Sequence, residues 1–389
     1  MSEPPDYDAI VVGLGAMGSA AAYQLARRGR RVLGLDAYPA GHTFGSSHGE
    51  SRIIRMAYFE HPNYVPLLRR AYALWAELEA ESQRRLLHRT GGLFIGPPNG
   101  DLVAGSLRSA QLHGLPHELI DAAEIRRRQP ALQARAHEAA VYEAEAGVLL
   151  PERCIEAFLD LAGQAGATLR HAEAVQTWRA AGGEVTVETS AARYTAGRLV
   201  LTAGAWLGTL LRELSLPLQP ERIPLFWFEP RQQPAQFALG QMPIWIWDDG
   251  ANGSFFATPH LAWPGVKLGK HHSQQAVDPD TVDRTIADAD EQPLRAFLER
   301  CVPDMAGAVA ASRVCLYTNT PDEHFLIDRH PDADNVVYGG GFSGHGFKFA
   351  SVVGEILADL AMTGRATPDA DFLRAERLSG RRSAGGAAR

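Results

Sequence analysis

The stretch Asp8-Ala-Ile-Val-Val-Gly-Leu-Gly-Ala-Met-Gly-Ser19 decides the fold of this chain of 389 residues. The apolar residues at 9–12 predict a buried parallel strand. The glycines at 13, 15 and 18 then supply a tight turn, a close approach of the backbone and a close contact between helix and strand. The pattern therefore predicts the start of a dinucleotide-binding unit.

The helix after these glycines is expected to bind the pyrophosphate of a dinucleotide. Unpaired backbone N–H groups and the helix dipole both favour negative charge at a helix N-terminus. A second apolar strand ends at Asp36, where a carboxylate can accept hydrogen bonds from a ribose. These features do not distinguish FAD from NAD.

Two later segments are predicted to add strands to the same open sheet. Residues 198–206 form a short apolar strand with a small-residue turn, and residues 335–348 form a strand, a glycine-rich loop and a helix start. We predict an α/β protein in which a Rossmann-like nucleotide-binding domain is interleaved with a mixed-sheet α+β substrate domain. The first comprises 1–87, 146–214 and 313–380, the second comprises 88–145 and 215–312, and a flexible tail covers 381–389.

Composition excludes several classes of function. The net charge is −7 and the arginines are scattered, so we predict neither a nucleic-acid partner nor a membrane partner. We expect no membrane span, signal peptide or peroxisomal address, and no metal site. Three cysteines, Cys154, Cys301 and Cys315, are too few for a disulfide framework, which favours a cytoplasmic protein.

Only three of the 38 lysine and arginine residues are lysines, namely Lys267, Lys270 and Lys348. Arginine serves this chain wherever a solvated positive charge suffices. A retained lysine therefore indicates a site that needs a compact, titratable ammonium group. The alternative is an ordinary surface lysine, and this alternative is strongest for Lys270.

Five motifs, in matching order and spacing along nearly the whole chain, resemble those of the monomeric sarcosine oxidase family, to which N-methyltryptophan oxidase is closely related. They are Gly13-Leu-Gly-Ala-Met-Gly18, Gly45-Ser-Ser-His-Gly-Glu-Ser-Arg-Ile-Ile-Arg55, Lys267-Leu-Gly-Lys-His271, Cys315-Leu-Tyr317 with Asp322-Glu-His-Phe-Leu-Ile-Asp328, and Gly341-Phe-Ser-Gly-His-Gly-Phe-Lys348. The resemblance implies a monomeric, FAD-dependent enzyme that oxidatively demethylates sarcosine or a related N-methyl (secondary) amino acid. Its small-molecule partners would be the amino acid and O2, and its products H2O2, formaldehyde and the primary amino acid.

The resemblance also assigns residues to the cofactor. Cys315 matches a cysteine bonded through sulfur to the 8α carbon of FAD, although from the residues alone an inert buried thiol is the more common fate. His48 and Arg52 match residues placed against one face of the flavin, where they could supply positive charge, and Lys267 matches the oxygen-activating lysine. The cofactor-binding residues predicted in this way are Gly13, Gly15, Ala16, Met17, Gly18, Asp36, His48, Arg52, Val175, Ala203, Gly204, Trp206, Cys315, Gly344, His345, Gly346 and Lys348.

The substrate side follows from the same resemblance. Arg55 and Lys348 match the pair that holds the substrate carboxylate, which suits a guanidinium fork and a point charge. Residues expected around the amine are His271, Tyr317 and the backbone near Gly344. His345 is at least as well explained as a structural histidine of the glycine loop.

Two positions depart from the sarcosine pattern. Phe256 replaces a tyrosine on the pocket wall, and Trp247 falls about where sarcosine-specific members have methionine, although plain core packing explains either aromatic equally well. A bulkier or cyclic secondary amino acid, such as N-methyltryptophan, proline or pipecolate, is therefore an alternative substrate. The sequence also leaves open a flavin dehydrogenase with a non-oxygen acceptor, an NAD-dependent dehydrogenase and a flavin-binding protein without turnover.

Overall fold

The computed structural model describes residues 5–366, 368 and 370–379, and the predicted tail at 381–389 lies outside these residues. The strands are β1 (Tyr7–Val12), β2 (Val32–Leu35), β3 (Arg52–Ile54), β4 (Leu87–Arg89), β5 (Gly92–Gly96), β6 (Glu118–Asp121), β7 (Ala139–Glu143), β8 (Gly147–Leu149), β9 (Thr168–Arg170), β10 (Val175–Ala181), β11 (Glu184–Thr189), β12 (Arg193–Leu201), β13 (Gln219–Phe228), β14 (Ile244–Asp248), β15 (Ser254–Thr258), β16 (Val266–His271), β17 (Val309–Asn319), β18 (Leu326–His330) and β19 (Ala333–Gly340). The helices are α1 (Ala16–Ala26), α2 (Tyr64–Ser82), α3 (Asp101–Leu112), α4 (Ala122–Arg128), α5 (Pro151–Gln164), α6 (Leu207–Leu210), α7 (Asp288–Cys301), α8 (Ala350–Thr363) and α9 (Glu376–Ser379).

The first sheet is built around β1. This strand pairs in parallel with β2 on one side and with β12 on the other, and β19 and β9 extend the parallel run outward. Strands β10 and β11 add an antiparallel hairpin to β12. The predicted α/β fold class is confirmed by this sheet.

Helices α1, α5 and α8 pack together beside the first sheet. All residues of α1 are buried, as expected for a helix composed largely of alanine and other small side chains. Its alanines share one apolar core with Val11 of β1 and with Val353 and Ile356 of α8. The other face of the sheet carries a separate core that includes Ile10, Leu33 and Leu199, so β1 is buried on both sides, as parallel strands require.

The second sheet has the order β17-β13-β16-β15-β14-β5-β7-β6, and its pairs are antiparallel except for β14 with β5. One face packs on a core formed by residues such as Phe226, Leu268 and Phe297. The predicted domain limit at residue 312 falls within β17. The limits of the two domains remain predictions from the sequence. A small third sheet, β3-β8-β4, holds the segment that begins at Arg52. Among the helices of the described residues, none combines the length and apolar character needed to cross a bilayer.

Candidate active site

The glycine turn after β1 has the geometry that the sequence predicts. A Cβ atom at Gly18 would lie 1.7 Å from the carbonyl oxygen of Gly13, so only glycine permits this approach of helix to strand. Gly13 itself has φ 87°, and its N–H donates to Leu35 O of β2 (2.8 Å). The N-cap of α1 is Gly15, which has no side chain, and the first turn of the helix has no acidic residue. Ser47 Oγ accepts a long hydrogen bond from Ala16 N (3.3 Å). This end, which includes Ala16 and Met17, therefore fits a pyrophosphate.

Asp36 lies directly beside this turn. Its Oδ2 accepts a hydrogen bond from Leu14 N (2.7 Å) and its Oδ1 accepts one from Tyr38 N (2.9 Å). The carboxylate thus stands at the carboxyl end of a parallel strand, where its remaining lone pairs can accept from ribose hydroxyls.

The other residues predicted for the nucleotide follow neighbouring strands. Ala203 and Gly204 come after the carboxyl end of β12, and the Trp206 ring lies 5.4 Å from the Tyr38 ring. Val175 begins β10, two residues after Glu173, whose N–H donates to Asp36 O (2.8 Å). The structure therefore gathers the predicted nucleotide residues at one edge of the first sheet.

A cavity between the sheets collects most of the remaining predicted residues. Side chains alternate along a strand, and this places Lys267 and His271 of β16 on the cavity face. On β17 the same alternation brings Cys315 and Tyr317 to that face. The lining residues from the prediction are Arg52, Arg55, Phe256, Lys267, His271, Cys315, Tyr317, Gly344, His345 and Lys348.

One end of the cavity holds Lys267, Arg52 and Cys315. The ammonium group of Lys267 donates to Gly49 O (2.7 Å) and to Ser51 O (2.9 Å) and lies 5.4 Å from the Trp227 ring. Arg52 Nη2 lies 3.7 Å from Cys315 Sγ. Burial, reinforced by the positive charge of Arg52, lowers the pKa of Lys267 to about 7.

His48 does not supply the positive charge suggested for it. Burial, together with Arg52 and Lys267, lowers the pKa of His48 to about 3, so its ring is neutral at neutral pH. Both of its ring nitrogens are buried, and apart from a weak contact with the backbone of Gly45 they have no hydrogen-bond partner among the described residues. Such orphaned polar atoms are costly, and a bound group with polar edges, such as a flavin, would satisfy them.

The other end of the cavity holds Arg55 and Lys348. Arg55 Nη2 donates to both carboxylate oxygens of Glu60 (2.6 and 2.7 Å), while Arg55 Nε is buried and unpartnered within the described residues. Lys348 Nζ donates to His345 O (2.7 Å), and burial with the nearby Arg55 lowers the pKa of Lys348 to about 7. Two cations face one carboxylate, so this end can accept a further anion.

Tyr317, His271 and the glycine loop lie between these two ends. Gly344 has φ 79°, and a Cβ atom there would lie 2.2 Å from the Tyr317 ring, so the loop passes directly over this ring. His271 Nδ1 lies 3.4 Å from Tyr317 Oη.

His345 forms a hydrogen bond with Tyr58 Oη through Nδ1 (2.5 Å) and another with Glu323 O through Nε2 (2.9 Å). Because both nitrogens of His345 are held in this way, a structural role suits it. Gly346 completes this loop.

Trp247 is not on the pocket wall, which corrects the prediction for this residue. Its side chain lies on the opposite face of β14, where Nε1 donates to Glu138 Oε1 (3.0 Å) within the core of the second sheet. The alternation along β14 brings Ile246 to the cavity instead. Phe256 does line the cavity, so the wall there is apolar.

Sequence reasoning missed several lining residues. Glu60 follows Arg55 by five residues without any recognisable motif, and Phe59 and Ile246 are ordinary apolar residues in the sequence. An acidic residue close to a predicted anion-binding arginine was the only available signal, since a buried arginine needs a counter-charge.

Comparisons with known proteins agree with this geometry. The family model described as FAD dependent oxidoreductase matches residues 8–360. Monomeric sarcosine oxidase of Streptomyces avermitilis is 46% identical over 363 residues, covering 92% of this chain and 94% of the relative. N-methyl-L-tryptophan oxidase of Salmonella arizonae is 36% identical, covering 94% and 97%.

Among solved structures, NikD, an unusual amino acid oxidase essential for nikkomycin biosynthesis, has a TM-score of 0.84 at 26% identity. It covers 95% of this chain and 97% of its own. The predicted family and the FAD-dependent class of enzyme are thereby confirmed. This chain belongs to the FAD dependent oxidoreductase family.

Proposed function

We propose that this protein oxidises N-methyl amino acids, with sarcosine as the reference substrate, by a flavin-dependent reaction that uses oxygen and water. The observation that best supports this proposal is the pair of cations at each end of one cavity. One pair is Arg55 with Lys348, and the other is Arg52 with Lys267. The similarity to sarcosine and N-methyltryptophan oxidases supports this assignment. We further propose that the protein acts as a monomer in the cytoplasm.

The residues that would hold FAD are those of the glycine turn, Asp36, His48, Arg52 and Cys315. When bound, FAD supplies the two-electron oxidant for the carbon next to the amine nitrogen and an outlet for those electrons to oxygen. The protein contributes position and electrostatics. Water then hydrolyses the imine product, which yields formaldehyde when the oxidised carbon was an N-methyl group.

Arg55 and Lys348 are assigned to the substrate carboxylate. Hydrogen bonds between charged groups are stronger than neutral ones, and in a buried site they fix orientation as well as affinity. Glu60 occupies Arg55 Nη2 in this structure, which leaves Arg55 Nε and the Lys348 ammonium as the donors open to a carboxylate. The neutral His271 and the Tyr317 hydroxyl then lie where they can contact the amine.

Lys267 and Arg52 are assigned to the oxygen reaction. Electron transfer to oxygen develops negative charge, and a preorganised ammonium in a desolvated cavity stabilises this charge as it forms. The carbonyl groups of Gly49 and Ser51 hold Lys267 in place for this purpose.

A substrate panel tests the proposed function. We expect purified holoenzyme to release H2O2 with sarcosine or another N-methyl amino acid and to form an equal amount of formaldehyde. The panel includes N-methyltryptophan, proline and pipecolate, because the apolar wall of Phe256, Ile246 and Phe59 suits larger apolar groups. Pocket differences of this size change discrimination by about 1–3 kcal/mol.

Each competing function gives a different result in this panel. Reduction of an artificial dye without H2O2 would indicate a dehydrogenase with another acceptor, and reduction of added NAD would indicate an NAD enzyme. No turnover with any member would contradict the proposed function and leave a flavin-binding protein.

We propose that Cys315 is the covalent attachment point for FAD. Its thiol lies in the cavity close to Arg52, which can stabilise negative charge on the sulfur or on the ring during attachment. We expect the denatured wild-type polypeptide to carry the mass of FAD and the Cys315→Ser polypeptide to carry none. Cys301→Ser is a matched control, since Cys301 lies in the core of the second sheet. Equal flavin mass on the Cys315→Ser chain would contradict the assignment.

A further inference from the structure

A buried carboxylate lies directly behind the substrate side of the cavity. Glu221 of β13 pairs in register with Tyr317 of β17 and is 3% exposed. Five hydrogen bonds converge on its two oxygens. The donors are Ser273 N (2.6 Å), Gln274 N (2.7 Å), Ser273 Oγ (3.3 Å), Asn319 Nδ2 (2.6 Å) and His272 Nδ1 (2.9 Å).

These bonds keep Glu221 ionised. Burial raises the pKa of Glu221, but the hydrogen bonds from His272, Asn319 and Gln274 outweigh this effect and lower the pKa to about 2. A carboxylate can only accept, so His272 Nδ1 carries the proton in this contact. His272 and Gln274 both have positive φ, 62° and 64°, so the loop keeps a strained backbone while it delivers these donors.

His272 lies between this carboxylate and the cavity. Its ring centroid is 4.2 Å from that of His271 and 5.6 Å from that of Tyr317. Burial lowers the pKa of His272, but the hydrogen bond and charge of Glu221 outweigh it and raise the pKa above its usual value. Its Nε2 is buried without a hydrogen-bond partner among the described residues.

Two imidazole rings this close cannot both be charged at neutral pH, because like charges raise the cost of each other's ionisation. Of these two rings, only that of His272 donates a hydrogen bond to the carboxylate of Glu221, so the proton is favoured there. Burial, then the charge of His272 and that of His345, lowers the pKa of His271 to about 3.

We propose that Glu221 and His272 are positioning residues for the amine side of the site: the carboxylate holds His272 as an imidazolium, and this charge adds to burial in keeping His271 neutral. The inference rests on the proposed oxidation of a secondary amino acid. A neutral imidazole has one acceptor nitrogen and an imidazolium has none. His271 can therefore accept a hydrogen bond or a proton from the substrate amine only while it stays neutral.

Within the part of the chain that the structure describes, few charged or titratable groups face His272. Glu221 faces it from β13, His271 from β16 and Tyr317 from β17. Glu323 faces it from the loop after β17, with Oε1 at 3.9 Å from Nε2, but its side chain is 63% exposed. Solvent screens an exposed charge strongly, so Glu221 controls the protonation of His272.

Histidine NMR of the wild-type holoenzyme tests the inference without turnover. Two-bond ¹⁵N–¹H spectra at pH 6 are expected to identify His272 as doubly protonated and His271 as neutral, with assignments from the His271→Asn and His272→Gln variants. A neutral His272 or a protonated His271 at pH 6 would overturn the inference. This result needs the two variants only to assign the signals, and it does not depend on any substrate.

The pH profile of the anaerobic reduction rate gives a second test. We expect its acid limb to move upward by about 1–3 pH units in Glu221→Gln, and likewise in His272→Gln, which removes the positive charge next to His271. Glu221→Asp should retain most of the wild-type profile, and Glu323→Gln is the matched control that should leave it unchanged.

A merely structural role would lower the rate without moving the acid limb, so unchanged limbs in both Gln variants would also overturn the inference. Absence of reduction by every secondary amino acid would instead contradict the proposed function, while the NMR result would still decide the protonation states.

Discussion

Lys267→Met is expected to lower the rate constant for reaction of the reduced holoenzyme with oxygen by about 100- to 1,000-fold, the usual loss for one preorganised charge-stabilising donor. Lys267 is 2% exposed and its ammonium group is held by two carbonyl oxygens in the cavity, so water cannot replace it. Methionine keeps the length and removes the charge. The rate constant for reduction by substrate should stay within about twofold, because the carboxylate is held at the other end.

Stopped-flow measurement of the two half-reactions checks this prediction. Lys270→Met is the matched control, since Lys270 lies on the same strand but on the face away from the cavity lining. The pKa of Lys267 is lowered to about 7, so its charge is present below this pH and lost above it. The oxygen reaction of the wild type should therefore slow as the pH rises through this range, and that of Lys267→Met should not.

Lys348→Met is expected to weaken substrate binding by about 10- to 100-fold, since a hydrogen bond between charged groups contributes about 1.5–3 kcal/mol. Lys348 is buried beside Arg55 and is one of the two cations that face Glu60. Without it, the excess positive charge at this end is gone. The observed rate of anaerobic reduction as a function of substrate concentration gives the dissociation constant.

The pH dependence of binding separates the two cations at this end. The pKa of Lys348 is lowered to about 7, so the wild-type affinity for a carboxylate should fall as the pH rises above this value. Lys348→Met should lack this part of the dependence, because arginine remains charged. Unchanged affinity in Lys348→Met would place the carboxylate elsewhere, and Lys270→Met again serves as the matched control.

The sequence predicted the features that depend on local pattern. The turn at Gly13 and the position of Asp36 follow from residues that are near each other in the chain. The family motifs predicted that Lys267 and Cys315 are site residues. Strand alternation then accounts for why Lys267 and His271, four residues apart, share one face.

Other features depend on contacts between distant segments. A shift of one residue along β14 exchanges Ile246 for Trp247 at the cavity. An uncertain alignment does not show which of two neighbouring side chains faces the cavity. The neutral state of His48 follows from burial and from the charges of Arg52 and Lys267. Lys267 is distant in the sequence, and the sequence does not show which way the side chain of Arg52 points. The contact of Glu221 with His272 joins residues on separate strands, and no motif connects them.

We propose that the two ends of one cavity serve separate half-reactions. The most direct test is a double-mixing stopped-flow experiment that measures reduction and reoxidation in the same samples of wild type, Lys267→Met and Lys348→Met. We predict a crossed pattern, in which Lys267→Met is slow only in reoxidation and Lys348→Met is impaired only in reduction. If both variants are impaired in the same half-reaction, the assignment of the two ends is wrong.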